Sequence, residues 1–319
     1  MINLRCVPGS FDHHLAHAVR GDLPARLLGY KVGGMMRFVF SAVLLLLTSA
    51  HADERWHFLD NGKVRLGVNL TAGGCIGWFS HAGSQENVLD AYDAGRFLQQ
   101  SFYGDVDGSD WNGRPWRYNC VQGGSWRNQF SDCTVLETGP GMLKARTTPR
   151  HWATGAVLDE CVMEQTLRLE GGLAYLRFHF AYRGTREHAP HHQELPALFV
   201  HSRYDTLVIT DKAQQLQRLQ PGPKNEYHDL GEPWCAWVNG QTDVGIGMRI
   251  PHTRRITCYR VRNGNKADCS YLAPIQTMAL KPGFESDYEV VLALGTVQQI
   301  RAVFAKLDAA EQTQRATIK

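Results

Sequence analysis

From Trp56 onward, apolar and polar residues alternate with a period of two along most of the chain. The run Lys63–Asn69 alternates, as does Cys161–Leu169. Glu170, Gly171 and Gly172 then read as a turn, after which Leu176, Phe178, Phe180 and Tyr182 fall on one face and Arg177 and His179 on the other. This pattern predicts a long antiparallel hairpin with one buried side. Further strands are predicted at Cys133–Glu137, Leu143–Thr148, Leu195–His201, Leu207–Thr210, Cys235–Asn239, Val244–Ile250, Arg255–Arg262 and Tyr288–Leu294. Helical spacing is convincing in one place, where Thr296 can cap a segment carrying Ile300, Val303, Phe304 and Leu307. No internal repeat, low-complexity tract or Pro/Ser linker divides the chain. The expected architecture is all-β: a large two-sheet antiparallel β-sandwich with a short C-terminal helix, one domain over residues 53–319.

The first fifty residues have a different character. Phe38–Thr48 is an apolar run preceded by Met35, Met36 and Arg37 and followed by Ser49-Ala50-His51-Ala52. A positive start, a run of about ten apolar residues and a small-residue site describe a secretory signal peptide over residues 35–52. The run is shorter than the ~20 residues of a membrane span. Residues 1–34 then read as an over-called start, and cleavage after Ala52 leaves Asp53 first. The expectation is a secreted or periplasmic protein with no stable membrane span once the leader is removed.

That division changes the meaning of the charge. The formal net charge of the 319 residues is +3, from 34 basic and 31 acidic side chains. Five of those bases and two of those acids lie in residues 1–52, so the remainder is balanced at 29 of each. With no block of like charge, nucleic acid is not an expected partner. Removing Cys6 with the leader leaves seven of the eight cysteines. An oxidising compartment favours disulfides, and Cys120/Cys133 and Cys258/Cys269 are close enough in sequence to bridge a loop or hairpin, with one thiol left over. No C-x-x-C or tight Cys/His spacing occurs, so no metal site and no cofactor is expected.

Between Glu86 and Asn128 the alternation fails, and the chain becomes rich in Gly, Asp, Asn, Trp, Tyr and Arg. A polar-aromatic stretch of this length inside a sandwich points to function. Asp93, Arg96, Gln99, Gln100 and Tyr103 crowd together here. On a strand Gln99 and Tyr103 share a face, suited to gripping sugar hydroxyls, while Asp93 and Arg96 can alternatively form a structural ion pair. A second cluster is His191-His192-Gln193-Glu194, where His192 and Glu194 project together as an acid/base pair, just before Pro196. Gln193 adds an amide. A third is aromatic: Trp116, Trp126 and Trp152 offer indole faces for sugar C–H surfaces, whereas Trp237, on an apolar strand, reads as core. Asp105, Asp107 and Asp110 superficially resemble a calcium loop but lack the glutamate spacing, which leaves only an incidental Ca2+. There is no G-x-S-x-G, Walker, G-x-G-x-x-G or H-E-x-x-H motif, which argues against phosphate and nucleotide chemistry.

The strings LDNGKVRLGVNLTAGGCIGWFS, NVLDAYDAGRFLQQSFYG, the W-x-x-N-x-V-Q-G-G stretch ending at Gly124, and HHQELPALFV resemble a family of secreted, mostly bacterial β-sandwich proteins. At the fold level the chain resembles the galactose-mutarotase-like sandwiches, in which a sheet face binds sugar with His and Glu acting there. That resemblance implies His192 and Glu194 as the matching positions; the N-H-x-x-[FY]-x-N string of mutarotases themselves is missing. The reading that follows is an exported enzyme acting on an oligo- or polysaccharide. Hydrolysis by Glu194 and Asp93 stands first, and β-elimination, with His192 or Tyr103 as base and Arg96 and Gln99 on a uronate, stands second. A non-catalytic sugar-binding or envelope interaction protein is the alternative class.

Overall fold

The computed structural model describes residues 55–318, so the leader over 35–52 and the stretch 1–34 lie outside the described residues. The predicted hairpin is formed by β9 (Cys161–Glu170) and β10 (Leu173–Tyr182), paired from Tyr182↔Cys161 to Leu173↔Glu170. Leu176, Phe178, Phe180 and Tyr182 are buried and Arg177 is exposed, as alternate Cβ directions require. Gly171 has φ of 57°, which the two-residue turn needs and glycine supplies without strain.

This hairpin is the middle of a nine-stranded antiparallel sheet. Its order is β13 (Leu216–Leu219), β12 (Thr206–Thr210), β15 (Trp234–Val238), β16 (Val244–Arg249), β19 (Phe284–Thr296), β10, β9, β7 (Met142–Thr148) and β6 (Asp132–Gly139). The second sheet has seven strands: β14 (Glu226–Asp229), β17 (Arg255–Val261), β18 (Cys269–Leu280), β11 (His188–His201), β4 (Gln99–Trp111), β5 (Arg114–Val121) and β8 (Arg150–His151). A small sheet of β1 (Trp56–Asp60), β2 (Val64–Asn69) and β3 (Cys75–His81) completes the strands. The fold is the expected antiparallel β-sandwich. Every strand predicted from alternation is present, with ends shifted by a few residues.

The β4–β5 hairpin lies inside the stretch where alternation fails. Its two-residue turn, Asn112 and Gly113, has φ of 52° and 80°, the pair of positive values of a tight hairpin turn. Alternation is hidden here because the outward residues are large and polar, while Phe102, Tyr118 and Cys120 point inward. Phe102 stacks on Phe180 of the opposite sheet, with ring centroids 3.7 Å apart and planes at 11°. Burying an aromatic ring of this kind is worth about 1.5–3 kcal/mol, so this contact helps fix how the sheets meet. Trp237 is fully buried in the same core.

The outer face of the nine-stranded sheet is covered by α1 (Val297–Ile318), whose Ile300 and Phe304 pack on Trp234, Val291 and Ala293. Thr296 caps it as predicted. Gln299 N donates to Thr296 Oγ1 at 3.3 Å, and Thr296 N donates to Gln299 Oε1 at 2.9 Å, a reciprocal capping box.

The cysteine expectation is corrected. All seven cysteines among the described residues are free. Cys120 and Cys133 belong to different sheets, and Cys258 faces the core while Cys269 faces outward. The sulfur beside Cys120 is that of Cys161, 3.4 Å away, against about 2.05 Å for a disulfide bond. Sequence proximity misleads because strands carry neighbouring cysteines to opposite faces.

Candidate functional site

Strand β4 divides its side chains between the two faces of the seven-stranded sheet. Gln100 and Phe102 point into the sandwich, while Gln99, Ser101 and Tyr103 point outward. On β11, Glu194 lies opposite Ser101 on one side and Ile275 of β18 on the other. The register shifts between Glu194 and Ala197, where Leu195–Pro196 is cis. This irregularity lies beside the Glu194 carboxylate.

Three hydroxyls converge on that carboxylate. Tyr271 donates to Glu194 Oε1 at 2.5 Å, and the Tyr103 and Ser101 hydroxyls also favour its charged form. Around them lie the buried apolar side chains Ala197, Phe199, Ala273 and Ile275. Burial pushes the Glu194 carboxyl above the usual carboxylate range, and the three hydroxyl donors only partly offset it. The phenols of Tyr103, Tyr271 and Tyr259 are pushed well up by burial and by the adjacent Glu194 charge, so they remain neutral donors. Thr257, 5% exposed, faces the same side with a buried hydroxyl that meets no partner.

The loop before β4 forms one wall. Arg96 Nε lies 3.6 Å from Asp93, Arg96 Nη1 lies 4.0 Å from Asp90, and Nη1 also donates to Ala267 O. The ion pair weighed for Asp93 and Arg96 therefore exists. The charges of Glu194, Arg96 and Asp93 all bear on the Tyr259 phenol. Burial lifts the Asp90 carboxyl to about 6, with Arg96 opposing.

Gln99 holds this wall in place. Its Nε2 donates to Ala94 O at 3.2 Å and its Oε1 accepts from Gly123 N at 2.8 Å. Two other glutamines need correction as sugar contacts. Gln193 is fully buried, bonded to Tyr103 N and O and to Met278 O. Gln100 is also fully buried and donates to Glu164 O. Neither has surface to offer a ligand; both tie strands together.

His192 shares the outward face with Glu194, since their pairings to Thr277 and Ile275 run without a shift. It is exposed, its ring 5.7 Å from that of Tyr227 rather than against the carboxylate. Burial and the Arg255 charge lower its pKa. Trp152 packs on the wall: a Cβ on Gly95 would lie 2.5 Å from its ring. Trp111 meets Trp116 at 4.6 Å and Trp152 at 5.9 Å, both edge to face, giving a half-buried aromatic surface. Trp126 instead donates to Ala153 O at 2.9 Å, with Arg127 over its ring.

Two groups escaped the sequence reading. Tyr259 and Tyr271 sit on strands of which only the first was predicted; the alternation Cys269, Tyr271, Ala273, Ile275 was the available signal. The second group is a histidine–aspartate network. His191 bonds Asp105 at 2.9 Å, His151 bonds Asp107 at 2.8 Å, and Tyr118 stacks on buried His188. The His191 hydrogen bond holds Asp105 below its ordinary value. These carboxylates, read as a loose calcium-like run, are committed to imidazoles. Two grooves among the described residues, one beside α1 and one around Glu164 and His179, include no residue of the Glu194 cluster.

No family model and no curated protein matches the chain. Solved structures do. A galactose mutarotase-like protein from Lactobacillus casei superposes with a TM-score of 0.51 at 10% identity, over 76% of this chain and 100% of that one. The Slr1438 protein from Synechocystis gives 0.51 at 13% identity, over 76% and 96%. A galactose mutarotase-like protein from Clostridium acetobutylicum gives 0.50 at 8% identity, over 76% and 96%. At such identities the likeness is one of fold. The chain has a galactose mutarotase-like β-sandwich, with a desolvated carboxylate on the outer face of its seven-stranded sheet.

Proposed function

We propose that this is an exported carbohydrate-active enzyme that cleaves a glycan by hydrolysis, with Glu194 as general acid. The observation that carries the reading is the half-buried Glu194 carboxyl met by Tyr271 at 2.5 Å, with burial acting to raise its pKa. A carboxyl that keeps its proton toward neutrality can give it to a glycosidic oxygen. Hydrolysis requires a second carboxylate, and Asp93, beside the Arg96 guanidinium, supplies it. Trp152, Trp111 and Trp116 would stack on sugar C–H faces, and Tyr259 and Thr257 would meet hydroxyls.

Elimination at a uronate, the second reading, has Arg96 in its favour but suits the proposed bases less well. Tyr103 is held neutral by burial and by Glu194, and His192 packs toward Tyr227 instead. The test is turnover of an oligosaccharide panel followed by a reducing-end assay and by ultraviolet absorbance for unsaturated uronates. Reducing ends without absorbance, abolished by Glu194→Gln, are expected. Absorbance would establish elimination; binding without turnover would make the protein a sugar-binding module; full activity of Glu194→Gln would remove Glu194 from the chemistry. For export, N-terminal sequencing of the released protein is expected to begin at Asp53.

A further inference from the structure

On the opposite face of the same sheet, at its edge, three metal-ligating side chains of different chemistry come together. Strand β14 is the edge strand, and its Glu226 pairs with Cys258 of β17 while His228 pairs with Ile256. Residues two apart on a strand share a face, and directly paired residues share it too. Cys258 belongs to the sandwich core, so Glu226 and His228 turn inward toward it, and Tyr227 between them turns outward. One carboxylate oxygen, one imidazole nitrogen and the thiol sulfur all lie within 4.8 Å of one another.

The hydrogen bonding at this cluster is incomplete. Nε2 of His228 is buried and meets no hydrogen-bond partner; Glu226 Oε2 lies 3.5 Å away. Glu226 Oε1 is anchored by Gly222 N at 2.7 Å, which leaves Oε2 directed at the cluster. A buried imidazole nitrogen without a hydrogen bond is unfavourable, and a cation bridging the three atoms would take its lone pair.

We propose that Glu226, His228 and Cys258 bind a divalent transition metal of the zinc class, clipping edge strand β14 to β17. The donor set decides the class. Thiolate and imidazole suit zinc and its neighbours, whereas calcium and magnesium take oxygen. Zinc ligands at about 2.0–2.3 Å from the metal lie closer together than 4.8 Å, so the site closes slightly on binding. Side-chain exposures of 24% for His228 and 40% for Glu226 leave a route from solvent and room for a water as fourth ligand. On binding, Cys258 releases its thiol proton to solvent and donates a sulfur lone pair; nothing is oxidised or reduced. Without a cation the thiol stays neutral, pushed up to about 12 by burial and by Glu226. The pairing of distant segments explains why Cys/His spacing gave no sign of it.

The experiment uses the full chain, stripped with a chelator and titrated with Co2+ as a spectroscopic stand-in for zinc. A near-ultraviolet thiolate-to-cobalt absorbance that saturates at one equivalent and is displaced by Zn2+ is expected. Cys258→Ser should abolish it. Losing an outer partner of a metal ligand already weakens binding about 10–100-fold, so His228→Gln, a partly exposed change that spares the core, should weaken it at least that much. Zn2+ should raise the melting temperature of the wild type and not of His228→Gln. No absorbance on the wild type, or equal absorbance in His228→Gln, would overturn the proposal. These readouts do not depend on glycan turnover.

Discussion

Tyr271 on β18 donates its hydroxyl to Oε1 of Glu194 on β11 at 2.5 Å, across two neighbouring strands of the seven-stranded sheet. A hydrogen bond to the ionised form favours that form, so Tyr271 restrains the rise that burial imposes on Glu194. Tyr271→Phe should therefore move the Glu194 titration to higher pH. Carboxyl 13C NMR, with the signal assigned by its loss in Glu194→Gln, reads this directly. An unmoved or lowered titration would mean the phenol does not act on the carboxylate.

Stability should depend on pH through the raised carboxyls. A carboxyl whose folded pKa exceeds its unfolded value binds its proton more tightly in the native state. Its contribution is therefore fully present below the unfolded pKa and is lost as pH rises through the folded one. Asp90, raised from 3.8 to about 6, places that loss between roughly pH 4 and 6, on the order of 3 kcal/mol at most. Glu194 adds to it in the same direction. Urea denaturation across this range should show the wild type losing stability relative to Asp90→Asn as pH rises. Groups of the opposite sign, such as the lowered His188, His192 and Asp105, act alike in both proteins. A wild type that gains stability over Asp90→Asn from pH 4 to 6 would contradict the burial argument.

Gly123 lets the Asp93–Arg96 wall approach the sheet. A Cβ there would lie 2.2 Å from the Ala94 carbonyl and 2.7 Å from Gln99 Oε1. Gly123→Ala should force the loop outward at a cost of about 1–3 kcal/mol and weaken sugar binding or turnover at the site. Denaturation together with ligand affinity checks both halves. Unchanged stability would show that the loop yields freely.

Helix α1 is held by a buried fork. Arg249, 2% exposed, donates to Asp308 at 2.8 Å and to Glu311 at 2.8 Å. Removing both acids leaves a buried guanidinium without these partners, a change that costs about 3–5 kcal/mol when pairs are fully buried. Both acids are partly exposed, so Asp308→Ala/Glu311→Ala should fall at or below the lower end. Trp234, 6.4 Å from Phe304, should report helix release by a red-shifted fluorescence in the double variant.

Period-two alternation determined the sandwich class, the Cys161–Tyr182 hairpin and its buried face, because burial on one side of a strand dictates every second residue; helical spacing after a capping threonine determined the helix at Thr296. The clustering of polar side chains also marked Glu194, Tyr103, Asp93 and Arg96 as chemically unusual. Their arrangement was decided elsewhere. Tyr271 reaches Glu194, and Tyr259 stacks on Tyr271, only because β17, β18 and β11 lie in that order, and that order depends on pairings between residues far apart in the chain. The same applies to Gln100 and Gln193. A polar side chain on a strand looks like a ligand contact until the tertiary structure shows it turned inward and bonded to backbone groups. Glu226, His228 and Cys258 mark the limit most clearly. Local pattern reports which face a residue occupies, whereas only the packing of strands decides which faces, and which donor atoms, come together.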